Sequence, residues 1–278
     1  MKNTIVGSLT ILAGILLPGE SRAALIFTPN TPVASVDFTG LDAGDPITDL
    51  SGWSSDTPSD VVGAAPRQPL VNTHSTVLTT TNTSNRFASS PAQPSGLLSG
   101  GTVYFSAWIN RAASASSGSR ILLQDTGGTS LGGFTIEPGS PNRFGLTGTD
   151  GVYSYGSASA LSSVWYEVAL VIDLNPTDTS LSRGYLFFRD IALQPDFQIV
   201  AGLENGILMG YTSSLDATDF SKWSVQVRNG VQIDNLEVGT GILAIPEAGS
   251  LSLLFGAALA LVAIHRLRFR HVATAVSH

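Results

Sequence analysis

The sequence predicts an all-β protein, an antiparallel jelly-roll sandwich flanked by an N-terminal signal peptide and a C-terminal transmembrane helix. Three observations lead there. Charged residues are only 13% of the 278, whereas 34 Ser, 25 Thr, 29 Gly and 14 Pro make the chain rich in small and turn-forming residues. That composition suits short strands joined by many turns rather than packed helices. Apolar residues in the middle of the chain recur with a period of two, the spacing of a strand with one buried face. Turn dipeptides punctuate these runs, and no stretch between the ends carries three turns of an amphipathic helix. With 43% hydrophobic residues, 12 Phe, 6 Tyr and 4 Trp, the chain can bury a core.

Residues 1–23 read as a secretory signal. Lys2 supplies the positive start, 5–17 is an apolar run, and Ser21-Arg22-Ala23 places small residues at −3 and −1. Cleavage is expected after Ala23. An uncleaved anchor is the alternative, and the shortness of the run argues against it.

Residues 24–244 form the predicted β-sandwich domain. It holds 9 Lys and Arg against 19 Asp and Glu, an acidic body without a basic stripe, which argues against nucleic acid as a partner. The chain has no Cys, so disulfides, thiolate metal sites and cysteine nucleophiles are excluded. The clearest alternation is Val103, Phe105, Ala107 and Ile109 against Tyr104, Ser106, Trp108 and Asn110. Tyr166, Val168, Leu170, Ile172 and Leu174 alternate in the same way against Trp165, Glu167, Ala169, Val171 and Asp173. Further strands are expected at 33–38, 120–124, 133–137, 142–146, 184–188, 223–228 and 231–238. Turns separate them at Gly127-Gly128, Pro138-Gly139, Asp150-Gly151, Asn205-Gly206 and Asn229-Gly230. Asn229-Gly230, between two alternating runs, is the strongest local hairpin signal and predicts that 223–228 pairs with 231–238.

The tail is residues 245–278. Ile245-Pro246-Glu247-Ala248 precedes an apolar stretch at 251–264, which with its flanks is read as a transmembrane segment at 249–267, about the 20 residues a spanning helix needs. The basic end, 265–271, carries Arg266, Arg268 and Arg270, which by the positive-inside rule stay cytoplasmic while the domain crosses. This arrangement resembles the PEP-CTERM sorting signal, a Pro-Glu-Pro motif followed by a membrane span and an Arg-rich cluster. Pro246 and Glu247 match the first two motif positions, and Ala248 stands at the third. The resemblance implies an exosortase-type processing enzyme and the export translocon as partners. The protein would be membrane-anchored through its C-terminal helix, or released to the cell surface or extracellular matrix. A plain C-terminal anchor is the alternative.

The runs 103–109 and 165–173, with the closing Ile233-Asp234-Asn235-Leu236-Glu237-Val238, resemble concanavalin A-like, laminin-G-like sandwich domains. The resemblance implies that the closing strand returns beside the first strand, at 34–38. It implies no activity.

No catalytic residues are expected. Retaining glycoside chemistry needs two carboxyls about 5 Å apart. The body's Glu137, Glu167, Glu204 and Glu237 each stand alone in sequence, and Glu167 and Asp173 lie roughly 20 Å apart along a strand. His74 is the body's sole histidine, in a polar segment, and no Gly-x-Ser-x-Gly elbow occurs. The chain therefore reads as non-enzymatic. The rivals are a glycan hydrolase on the same fold, if folding brings distant carboxylates together, and a purely structural adhesin.

No cofactor is expected. Calcium is the one ion that Asp173, Asn175 and Asp178 would suit as oxygen ligands where a strand enters a loop, and an Asx-turn is the alternative. For ligand binding, Tyr104 and Trp108 share one strand face, and Trp165 shares a face with Glu167. On the concave side of a sandwich they would make an aromatic platform for an extracellular polysaccharide. If loops cover them they are core. The Ser- and Thr-rich segments 79–84 and 114–119 read as solvated loops or glycan acceptors.

Overall fold

The computed structural model describes residues 25–38, 41–56, 62–64, 76–80, 86–94, 96–112, 115, 118–137 and 142–244. Ala23, the sorting residues Pro246, Glu247, Arg266, Arg268 and Arg270, and the predicted membrane span lie outside these residues. Leu25–Ala244 forms one compact unit. Among the described residues there is no α-helix, and so none long and apolar enough to cross a membrane.

The chain runs through β1 (Ile26–Pro29), β2 (Ala34–Val36), β3 (Ser54–Ser55), β4 (Val62–Ala64), β5 (Thr76–Thr79), β6 (Arg86–Ser89), β7 (Thr102–Arg111), β8 (Ser119–Gln124) and β9 (Ser130–Glu137). It continues through β10 (Asn142–Thr147), β11 (Tyr153–Ala160), β12 (Trp165–Asp173), β13 (Arg183–Asp190), β14 (Gln198–Ile199), β15 (Ile207–Leu208), β16 (Lys222–Val227) and β17 (Val231–Ala244). One sheet has the order β14-β13-β12-β7-β17-β5-β4, with β1 and β2 added to β17 and β15 to β13. The other has the order β11-β10-β9-β8-β16-β6-β3. The pairings are antiparallel, as in β12 with β7, where Leu170 stands opposite Phe105.

The two sheets face each other across one apolar core. Val103, Phe105, Ala107 and Ile109 of β7 and Val168, Leu170 and Ile172 of β12 point into it from one side. Ile121, Leu123, Phe134, Ile136, Phe144, Leu146, Trp223 and Val225 point in from the other. Phe105 meets Trp223 edge-on at 5.8 Å, and Phe144 stacks on Phe188 at 4.6 Å across the layer. Each fully buried Phe or Leu contributes about 1.5–3 kcal/mol. The period-two pattern of the sequence is therefore the pattern of burial, and the expected antiparallel sandwich is what forms. As expected too, the closing strand returns beside the first run: Leu236 of β17 pairs with Val36 of β2.

The Asn229-Gly230 hairpin does not form. A tight turn is present, with Gly230 at φ +85° and the Val231 amide donating to the Arg228 carbonyl at 2.9 Å. The strands it joins belong to different sheets: β16 pairs with β8 and β6, β17 with β7 and β5. Trp223, Val225 and Val227 face Val231 and Ile233 across the core, so the chain crosses between layers at this turn instead of folding back on itself.

In β17 the Asp234-Asn235 pair is a bulge. Asn235 takes φ +46° and the register with β7 shifts between Asp234 and Glu237. Asparagine tolerates the left-handed region better than most residues. The inserted residue returns Leu236 to the core and leaves Glu237 on the outer face, opposite Ser106.

Candidate functional site

Of the predicted platform residues, Trp108, Trp165 and Glu167 come together on the outer face of the ten-stranded sheet, and Tyr104 lies in a separate cluster of that sheet with Phe27 and Phe187. Glu167 stands opposite Trp108 on one side and Arg189 on the other. Trp108 and Trp165 pack with Val77. That face is covered, however, which corrects the expectation of an open platform. Tyr104 is 1% exposed, Trp108 7%, Trp165 6% and Glu167 4%. The cover over Tyr104 is β1, whose Phe27 ring lies 5.5 Å from Tyr104, 5.5 Å from Phe187 and 5.3 Å from Phe197. Glu167 is engaged as well, its Oε2 accepting from Arg189 Nη2 at 2.6 Å and Nε at 2.8 Å. Burial pushes the Glu237 carboxyl up, and the Glu167 charge adds to that; the Asn235 amide, 2.8 Å from Glu237 Oε1, and Arg189 pull it down.

The Asp173 loop is a turn. Asn175 Oδ1 accepts from the amides of Thr177 at 3.0 Å and Asp178 at 2.9 Å. Asp178 Oδ1 caps the 3-10 turn Thr179–Leu181 through the Ser180 amide at 3.0 Å and its hydroxyl at 2.6 Å. These oxygens are spent on backbone donors, and Asp173 lies a strand's end away, beside Arg183. Among the described residues no group of three or more His, Cys, Asp or Glu could hold a metal ion. The Asx-turn alternative is the observed geometry.

A half-buried aromatic pair lies on the outer face of the other sheet, in β11, a strand that the periodicity of the sequence does not predict. Tyr153 and Tyr155 project from the same side of this edge strand, and their rings stack at 6.2 Å with 25° between planes. Tyr155 lies over Gly145 of β10, where an added Cβ would come within 2.7 Å of the ring. Glycine there lets the ring lie flat on the sheet. Arg143 of β10 stacks 4.7 Å from the Tyr155 centroid and Arg120 of β8 lies 5.2 Å from that of Tyr153. Arg120 Nε also bonds Glu137 Oε1 at 3.1 Å. Toward β6 the row continues through Thr135, Arg120 and Gln226 to Phe87, which is 40% exposed. Both tyrosine phenols are pushed up, by burial first, and the nearby arginines pull against that shift.

The signal for this site is in the sequence as Tyr153-Ser154-Tyr155-Gly156, two aromatics at i and i+2. The strand lacks the Val and Ile by which the others stand out, because an edge strand packs less of its surface.

No family model matches the chain, and no curated protein matches it. Among solved structures it is similar to the marine alginate lyase from Aplysia kurodai, with 7% identity over 76% of this chain and 100% of that one and a TM-score of 0.47. It is also similar to a galectin of Caenorhabditis elegans, with 13% identity, 52% and 86% coverage and a TM-score of 0.31. A sialidase matches over 80% of this chain at 11% identity and a TM-score of 0.41, and the chain spans 19% of that protein. At these TM-scores the likenesses carry nothing about what the chain does.

Proposed function

We propose that this is an exported, non-enzymatic protein of the cell surface or extracellular matrix. Its sandwich, a jelly roll of the concanavalin A-like, laminin-G-like kind, associates with a polysaccharide. The observation that carries this reading is the stacked Tyr153–Tyr155 pair on an outer sheet face, flanked by Arg143, Arg120 and Glu137. Sugar rings present apolar C–H faces that stack on aromatic rings, while their hydroxyls need charged or amide partners at the rim. Export rests on the leader 1–23, and sorting by an exosortase-type enzyme rests on Pro246, Glu247 and the basic end.

Two features support the absence of catalysis. Glu137 is the single carboxylate on the strands of the seven-stranded sheet, whereas glycoside hydrolysis by acid and base needs two. Glu167 and Glu237, which do interact, lie on the other sheet, where Glu167 is buried and held by Arg189.

The test is a glycan array probed with the full chain in mild detergent, together with Tyr155→Ala. Selective binding that Tyr155→Ala abolishes supports the reading. Silence from a protein shown to be folded moves the assignment to a structural adhesin, and release of reducing ends from any glycan moves it to a hydrolase.

A further inference from the structure

We infer that the polysaccharide held at the Tyr153–Tyr155 face is anionic, its negative groups seated on Arg143 and Arg120 while its rings pack beside the tyrosines. This rests on the glycan reading above and names the class of ligand. Charge is distributed unevenly between the two sheets. The whole chain carries 21 Asp and Glu against 14 Lys and Arg. The strands of the seven-stranded sheet invert that balance: Arg86, Arg120, Arg143 and Lys222 stand against Glu137 alone. The strands of the ten-stranded sheet keep it, with Glu167, Asp173, Asp190, Asp234 and Glu237 against Arg111, Arg183 and Arg189.

Alternation places Arg120, Arg143 and Lys222 on the outer side, because their neighbours Ile121, Phe144 and Trp223 are in the core. Glu137 can neutralise one of the three, and it is bonded to Arg120. Arg143 is exposed and forms no ion pair among the described residues. Its planar guanidinium lies on the Tyr155 ring. A guanidinium in that position offers its N–H edge to a carboxylate or sulfate ester, and a sugar ring packs beside the guanidinium–tyrosine stack. A cationic sheet face on a chain of net negative charge favours such a ligand at that face.

The experiment measures binding of the full chain in detergent to polygalacturonate, dextran sulfate and uncharged dextran, at about 50 mM and about 500 mM salt. The inference expects binding to one or both charged polymers, with the preferred one separating carboxylate from sulfate. It expects affinity to fall about tenfold or more at the higher salt. Arg143→Gln, at an exposed position where the fold is indifferent, should weaken binding about fivefold to tenfold. Tyr155→Ala should weaken it at both salt concentrations. Binding to dextran alone, still lost in Tyr155→Ala, overturns the anionic assignment and leaves the glycan reading standing. Binding to a charged polymer that Arg143→Gln and Arg120→Gln leave unchanged overturns this face as the site. Binding to none of the three by the folded protein overturns both.

Discussion

Ile26 stands directly opposite Ala244 in antiparallel register, followed by Phe27 opposite Leu243 and Thr28 opposite Ile242. The first and last strands of the domain are therefore one pair. Phe27 does more than extend this ladder. Its ring closes the outer pocket formed by Tyr104, Phe187 and Phe197. Removing it opens a cavity under three aromatic rings. Phe27→Ala should cost about 3–5 kcal/mol in urea unfolding. It should also raise hydrogen exchange at 241–244, whose ladder partner loses its anchor. An unchanged midpoint with unchanged exchange would show that β1 rests on the sheet without holding it.

The Glu167–Arg189 pair is asymmetric, since the Glu side chain is 5% exposed and the Arg 31%. Arg189 also donates to the Pro195 carbonyl at 2.7 Å and lies 4.8 Å from the Phe197 centroid. Arg189→Ala leaves a buried carboxylate without its cation, whereas Glu167→Ala leaves a cation that still reaches water. The Arg variant should lose about 2–3 kcal/mol, less than a fully buried pair would because the guanidinium is partly solvated, and the Glu variant should lose clearly less. The double Met variant, apolar and similar in volume, should recover most of the loss. Equal losses for the two single variants would remove the asymmetry argument.

Alternation made β7 and β12 legible in the sequence, and it also placed Tyr104, Trp108, Trp165 and Glu167 on shared faces. It could not say whether those faces were open, because the cover over Tyr104 comes from Phe27, distant in sequence and close only after β1 joins β17. The same limit explains Asn229-Gly230. A tight turn is a local property, whereas the sheet in which each flanking strand pairs is decided by β5, β6, β7 and β8. β11 escaped because Tyr153-Ser154-Tyr155-Gly156-Ser157-Ala158 has few residues of strong strand propensity. Its place is fixed by pairing with β10 rather than by its own composition. The tyrosine pair that carries the proposed function was thus visible only as spacing.

The 3-10 turn after β12 offers a direct comparison of cap and metal site. Asp178 accepts from the Ser180 amide and Asn175 accepts from two further amides. Asp178→Ala should lower stability by about 1 kcal/mol, the cost of a lost cap, equally in millimolar calcium and in chelator. A wild-type midpoint that rises with calcium, and stops rising in Asp173→Asn, would return calcium to this loop.

Glu237 sets a pH dependence whose sign follows from its surroundings. Burial, with a smaller addition from Glu167, holds its carboxyl above the ordinary value, and the Asn235 and Arg189 contacts do not fully offset this. The folded protein therefore keeps this proton to higher pH than the unfolded chain does. The contribution to stability is whole below the unfolded-state value and is lost as pH rises through the folded-state value. Glu237→Gln has no proton to lose and its side-chain oxygen can still accept from Asn235. The variant should match the wild type near pH 4 and exceed it at pH 7, with the gap in urea midpoint opening between those values. Groups common to both proteins cancel in that difference, so acid denaturation elsewhere in the chain does not obscure it. A gap that stays constant with pH, or a Gln variant weaker at pH 7, would mean that the charged carboxylate is welcome at the bulge and that Arg189 outweighs burial there.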